Sequence, residues 1–334
     1  VGFTHGDLPS KQIFEYENIK GEPECIQVKN INPYLVDAPD VVVQNRKNPL
    51  CPVPQIGIGN KPIDGGHYLF TEEEKASFLA VEPKAAPYFR RWLGAHEFLN
   101  GYHRYCLWLG DCPPKELRKM PECLKRIEAV RELRKNSKSK PTQKLAETPT
   151  RFHVENMPDG EYLIIPEVSS ERRFYIPIGF ETNETLCSNL VKLVPDASLF
   201  HFGILSSTMH NAWMRTVCGR LKSDYRYSAG VVYNNFPWPE NPTEKQKQAV
   251  STASQKVLDV RKTFPDSTLA DLYDPLTMPS VLSKAHQALD KAVDACYGVK
   301  NFPNEAKRVA FLFSLYDHYL QKEASSSETG GKQE

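Results

Sequence analysis

Between residues 219 and 239 the chain sets Arg220, Lys222 and Arg226 among Ser223, Tyr225, Tyr227 and Ser228. Guanidinium and ammonium groups supply charge and the hydroxyls supply register, a combination that suits a row of phosphate oxygens. The run then passes through Val231-Val232-Tyr233, patterned like a strand, into Asn234-Asn235-Phe236-Pro237-Trp238-Pro239, a rigid aromatic-proline stop. A second set is Ser169-Ser170-Glu171-Arg172-Arg173, between strand-like runs at 161–166 and 174–180. Arginine can fork onto the O6 and N7 of guanine and glutamate can accept from the N4 of cytosine, so a strand-loop-strand bearing these side chains could read base edges. The plainer alternative is an Arg-Glu hairpin pair, worth little when exposed. A third set lies at 59–66, where one proline and paired glycines fix a tight turn that exposes Asn60, Lys61 and Asp64. The same turn could also be a mere connector.

These groups need elements to hold them. From 115 to 144 eleven Lys/Arg stand against four Glu, a local excess of seven positive charges in a chain whose net charge is only +1. Leu117, Met120, Leu124, Ile127, Val130 and Leu133 recur at three- and four-residue spacing, which predicts an amphipathic helix with a basic outer face ending before Asn136. The positive bias continues into Lys138-Ser139-Lys140, so a phosphate-facing role is favoured over a merely solvated face. Residues 145–185 switch to strand patterning, beginning at Arg151-Phe152-His153-Val154. Short β-like runs are expected at 12–16, 25–28 and 41–43, and mostly helix at 186–218. The aromatic-rich run at 84–109 could stack bases but reads better as core. Thr71 before three glutamates signals a helix start. After Pro239, helices at about 244–264, 280–297 and 303–321 form a small bundle, and the polar tail from Glu323 is expected to be disordered.

Other chemistry is thinly supported. The eight cysteines include no Cys-x-x-Cys pair, so reduced thiols are expected rather than a metal site. His201 and His210 read as satisfied core or surface histidines. Asn32-Pro33-Tyr34 has one proline where the base-holding motif of amino-methyltransferases has two, and no Gly-rich turn for a methyl donor precedes it; it reads as a turn. Gly57-Ile58-Gly59 is a weak cofactor-loop signal. No nucleophile-base pair suggests a hydrolase. No apolar run approaches the roughly 18 residues a membrane span requires, which with the absence of a signal pattern predicts a soluble, cytoplasmic chain. It opens on Val1, which suggests a piece of something longer.

Four ordered segments, 31–37, 59–66, 168–179 and 219–239, resemble the C-terminal region of type IIL restriction-modification enzymes of the MmeI kind, which are large DNA adenine methyltransferases. The resemblance implies an α+β chain: the trailing edge of a methyltransferase core at 1–50, a mixed α/β target-recognition domain at 51–239, a helical domain at 240–322 and a tail at 323–334. It implies sequence-specific binding of double-stranded DNA for an N6-adenine methyltransferase whose catalytic lobe lies upstream, with no catalytic residue, cofactor or metal in this part and S-adenosylmethionine used by the parent enzyme. The expected DNA contacts are Asn60, Lys61, Lys138, Lys140, Arg151, Ser170, Glu171, Arg172, Arg173, Arg220, Lys222, Ser223, Arg226 and Tyr227. The alternative is a structural module that packs against the methyltransferase lobe without reading bases.

Overall fold

Thr71 accepts a hydrogen bond from the amide of Glu74, and the Glu74 carboxylate accepts one from the amide of Thr71. This reciprocal cap starts the helix Glu72–Val81 where the sequence signalled it. The computed structural model describes residues 6, 10–16 and 21–330, the side chains of 327–330 excepted. The aromatic run that follows the first helix is core. Strands Phe89–Leu93 and Arg104–Leu107 pair antiparallel, with Leu69–Phe70 on one flank and Thr185–Cys187 on the other, giving a four-stranded sheet. Trp92 and Trp108 each set an edge against Phe152, at 6.2 and 5.0 Å between ring centres.

A second four-stranded sheet runs in the order Gly57–Ile58, Val191–Pro195, Glu161–Pro166, Gly179–Thr182. Tyr162-Leu163-Ile164-Ile165 is buried on both faces, as its unbroken apolar run demands. Residues 186–195, expected to be helical, are therefore largely strand; the helices begin only at Leu199–Ser206 and Thr208–Val217. The expected strands at 41–43 and 151–154 are absent, although Val154 forms an isolated bridge with Lys61. Hairpin strands Lys11–Glu15 and Glu24–Val28 pair antiparallel. Asn32 is a turn residue: its side-chain Oδ1 accepts from the amides of Tyr34 and Val36 at 3.0 and 3.1 Å, and Leu35 takes a left-handed φ of 61°.

The C-terminal part is helical: Glu244–Lys262, Leu269–Leu272, Ser280–Cys296 and Glu305–Gly330. The last helix continues through residues expected to be disordered, from Glu323 to Gly330; residues 331–334 lie outside the described residues. Val250, Val257, Leu282, Leu289, Leu312 and Phe313 join Trp213, Phe236 and Val232 in one large core, so this part packs directly on the domain before it. No helix among the described residues is long and apolar enough to cross a membrane, and all eight cysteines are free thiols.

The aromatic-proline stop is interior scaffold. Ala229–Tyr233, read from sequence as strand-like, is a wide helical turn, and Gly230 lies so close to residues 45–46 that a Cβ there would sit 2.0 Å from the Asn45 side chain. Asn234 donates to the carbonyls of Arg46 and Lys47, and Asn235 to those of Gln44 and Gly230. Tyr316 completes the Asn235 side chain by donating to its Oδ1 at 3.0 Å, while Tyr233 donates to the carbonyl of Pro54. Two amides and a phenol thus satisfy four carbonyls of the otherwise irregular segment 44–54, those of Gln44, Arg46, Lys47 and Pro54.

Candidate nucleic-acid interface

Two of the chemically suggestive segments become one surface. Strand Val168–Ser169 pairs antiparallel with Asp224–Arg226, which pairs with Gly219–Leu221, in a three-stranded sheet. The tight turn of the outer hairpin is made possible by Lys222, whose φ is 57°, and Lys222 and Ser223 stand exposed at its tip. Arg220 is exposed and held over its own hairpin, its guanidinium 4.0 Å from the centre of the Tyr225 ring and donating to the Ser223 carbonyl at 3.0 Å. Arg226 is exposed but spoken for. Glu167 accepts from it at 2.9 Å and from the buried Lys192 at 2.7 Å. Burial opposes ionisation of Glu167, yet these two cations outweigh it and hold the carboxyl below its ordinary range.

The loop after Ser169 turns on Ser170, half-buried, whose hydroxyl accepts from the amide of Arg172 and whose carbonyl accepts from that of Arg173. Asp224 of the hairpin accepts from the amide of Glu171 at 3.3 Å. Glu171 and Arg172 project outward, Arg172 with 57% of its side chain exposed and 3.7 Å from Asp274. Arg173 turns partly inward, where burial lowers its pKa and Asp274 and Asp224 counter that effect. The two arginines are therefore not equivalent.

A second assembly surrounds Arg134, which the sequence pattern placed on the basic outer face and the structure buries completely. The helix is Pro121–Lys135, and its buried stripe is Cys123, Ile127, Val130 and Arg134, following Met120; Leu124 is 40% exposed. Arg134 donates to five main-chain carbonyls, those of Pro62, Ile63, Leu145, Thr148 and Arg151, at 2.8–3.1 Å. It pins the 59–66 turn and the 145–151 segment to one helix end. On the outer face of the helix each glutamate is matched by a cation three residues on, Lys125–Glu122, Arg131–Glu128 and Lys135–Glu132, and Lys119–Glu116 does the same just before the helix. Arg126 donates to the carbonyl of His67 and covers the Phe70 ring. Cations without such a partner among the described residues include Lys61, Lys138 and Lys140, all exposed, the latter two where helix Pro121–Lys135 gives way to Lys140–Lys144. Arg151 is exposed but paired with Asp111 and Glu155, both at 3.1 Å.

Residues 37–240 match the family described as "MmeI, target recognition domain", and residues 242–323 match "MmeI, C-terminal domain". This chain belongs to the MmeI target recognition family. It is 50% identical to a solved structure of the type IIL restriction-modification enzyme MmeI in complex with DNA, with a TM-score of 0.88, covering 95% of this chain and 42% of that one. It is also 40% identical over 295 residues to DNA methyltransferase A of Bacillus subtilis (strain 168), covering 88% of this chain. The chain spans 33% of the length of that relative.

Within the target recognition domain two expected contact residues are displaced from the surface. Asn60 is fully buried: it donates to the carbonyls of Asn156 and Cys187 and accepts from the amide of Asn156, so it stitches the 59–66 turn to distant strands. Tyr227 is 2% exposed and shares a 2.9 Å hydrogen bond with Nε2 of His210. Neither side chain can reach a duplex without unfolding its surroundings. Sequence reasoning missed Glu167, Asp224 and Asp274, the carboxylates that orient the arginines, because each reaches them only through pairing of distant segments. Arg134 did leave a signal: it falls at the next step of the 120, 123, 127, 130 spacing.

His210 carries a pH signature. Burial drives its pKa down to about 3, against about 6.5 for an exposed imidazole. Because the folded chain refuses a proton the unfolded chain accepts, His210 leaves stability intact above pH 6.5 and removes it progressively as pH falls toward 3, by up to about 1.4 kcal/mol per pH unit. Urea midpoints should fall between pH 7 and pH 5, and His210→Gln should narrow that fall; an identical pH response in the variant would refute the assignment.

A cavity of about 1040 Å³ lies apart from these residues, lined by Trp238, Phe200, Tyr319 and Leu50 among others. No group of three or more His, Cys, Asp or Glu among the described residues could hold a metal. The glycines at 57–59 do not fit a methyl-donor loop, since no helix follows them and a Cβ on Gly59 would lie 2.3 Å from the Ser188 carbonyl.

Proposed function

We propose that this chain recognises a specific double-stranded DNA sequence on behalf of an N6-adenine methyltransferase of the restriction-modification type. The observation that carries the reading is the three-stranded sheet that sets Glu171 and Arg172 beside Arg220 and Lys222 on one exposed edge, in a chain 50% identical to an enzyme solved in complex with DNA. Arg172 and Glu171 have the donors and acceptors to read base edges. Lys61, Lys138, Lys140, Arg220 and Lys222 are cations free to neutralise phosphates, with Ser223 to fix register. Arg226 and Arg151 serve as ion-paired supports, and Ser170 and Arg173 brace the loop from within. A catalytic lobe elsewhere in the parent enzyme would flip the target adenine and would need S-adenosylmethionine; this part holds the duplex against it. Free thiols and a DNA target suit the cytoplasm.

The test is fluorescence anisotropy of the chain with a mixed-sequence duplex across a salt series, repeated with a single strand. Steeply salt-dependent binding that favours the duplex is expected. A well-folded chain that ignores duplex DNA even at low salt, alone and with the catalytic lobe added, would leave the packing-module alternative. Lys138→Ala with Lys140→Ala should lower the log-log salt slope by roughly 1.8, about 0.9 for each phosphate no longer neutralised. An unchanged slope would remove these lysines from the interface.

A further inference from the structure

The loop from Ser170 to Ile176 has no regular structure of its own, yet it is held from two sides. On one side the hairpin supplies Asp224. On the other, three successive anchors come from beyond residue 242. Asp274 lies 3.7 Å from Arg172, and its carboxylate is itself fixed by the amide of Leu276 at 2.9 Å. Glu305, at the start of the last helix, accepts two hydrogen bonds from Arg215, which in turn donates to the carbonyl of Phe174 at 2.8 Å. Asp290 accepts from the hydroxyl of Tyr175 and the amide of Thr208, both at 2.7 Å.

We infer that the C-terminal helical domain is the positioning platform of the arginine loop, with Asp274 and Glu305 as positioning residues for sequence discrimination. The inference rests on the DNA-recognition reading of Arg172 and adds to it a role for a domain remote from the exposed edge. A guanidinium reads a guanine only when its fork is aligned within a fraction of an ångström, and a loop gains that precision from the groups that lock it. Here those groups sit mostly on helices Ser280–Cys296 and Glu305–Gly330 and on the turn before them. Discrimination among sequences is then set partly by residues that touch no base.

The experiment uses the full chain with Asp274→Asn and Glu305→Gln, singly and together, Asp274→Glu with Glu305→Asp as charge-conserving rescue, and Asp259→Asn as a control, an exposed carboxylate of helix Glu244–Lys262 whose partners are Gln255 and Lys262 of the same helix. Two quantities are read. The first is amide hydrogen exchange of residues 170–176 without DNA, expected to quicken about tenfold in the double variant and to recover in the rescue. The second is the ratio of affinities for a duplex selected from a random pool by the unaltered chain and for a random duplex. That ratio should fall about tenfold while random-duplex affinity and salt slope hold. If exchange at 170–176 is unaltered in a folded double variant, the platform is overturned whether or not DNA binds. If exchange quickens but the ratio stays constant, the link to discrimination is overturned. If the unaltered chain binds no duplex even with the catalytic lobe added, the recognition reading itself fails and the link to discrimination falls with it, while exchange still decides the mechanical claim.

Discussion

Arg134→Met destabilises the chain by about 4 kcal/mol, the expected result of removing a buried guanidinium, leaving the carbonyls of Pro62, Ile63 and Arg151 without its hydrogen bonds and those of Leu145 and Thr148 with a backbone amide alone. Methionine fills a similar volume, so the loss is of hydrogen bonds and not of packing. Arg134→Lys should recover less than half, because an ammonium has three donors on a single centre and cannot span acceptors from residue 62 to residue 151. Urea unfolding followed by tryptophan fluorescence measures both. A loss below about 1 kcal/mol for the methionine variant would show that the carbonyls find other donors.

The second large effect concerns Arg172. Its replacement by alanine should relax discrimination at one base position by roughly tenfold to a hundredfold, while binding to random duplex weakens only slightly. Arg172→Lys should behave almost as badly, since a point charge cannot fork onto two acceptors. Arg173→Ala, by contrast, should lower stability more than discrimination, because that side chain is partly buried between Asp224 and Asp274. Selection from a random duplex pool with each variant, and urea unfolding of Arg173→Ala beside the unaltered chain, check all three. If Arg172→Ala returns the unaltered preferred sequence, Arg172 is a phosphate contact or a surface residue and the base-reading role belongs elsewhere.

What the sequence made legible was local. The Thr71–Glu74 cap, the helix near 121–135 and the C-terminal helices all announce themselves through spacing or capping chemistry that acts over a few residues. The resemblance in ordered motifs carried the domain type. What stayed hidden was decided by pairing across the chain. Asn60 has the composition of an exposed turn residue, and only partners about a hundred positions away or more, Asn156 and Cys187, explain its burial. Tyr227 sits among surface cations in sequence, but it follows a strand whose neighbour is Val168–Ser169, and alternation along that strand buries Tyr225 and Tyr227 while exposing Arg226. Val231-Val232-Tyr233 has β-branched residues suited to a strand, yet no partner strand meets it; Trp213 donates to the Val232 carbonyl instead. The error at Arg134 had another origin. There charge points to solvent and the three-and-four spacing points inward, and the spacing prevails.

The grip of Asn234 and Asn235 on residues 44–47 bears on how such a module could be exchanged between relatives. The recognition unit is one continuous stretch whose two ends hold each other, because its closing segment is completed by residues nearly two hundred positions earlier. A chimera spliced only around the reading hairpin would separate the amides from the carbonyls they serve. Recombination that preserves folding should therefore transplant residues from about 44 through the Trp-Pro stop as one cassette, and natural shuffling of specificities would be confined to the short exposed loops inside that frame.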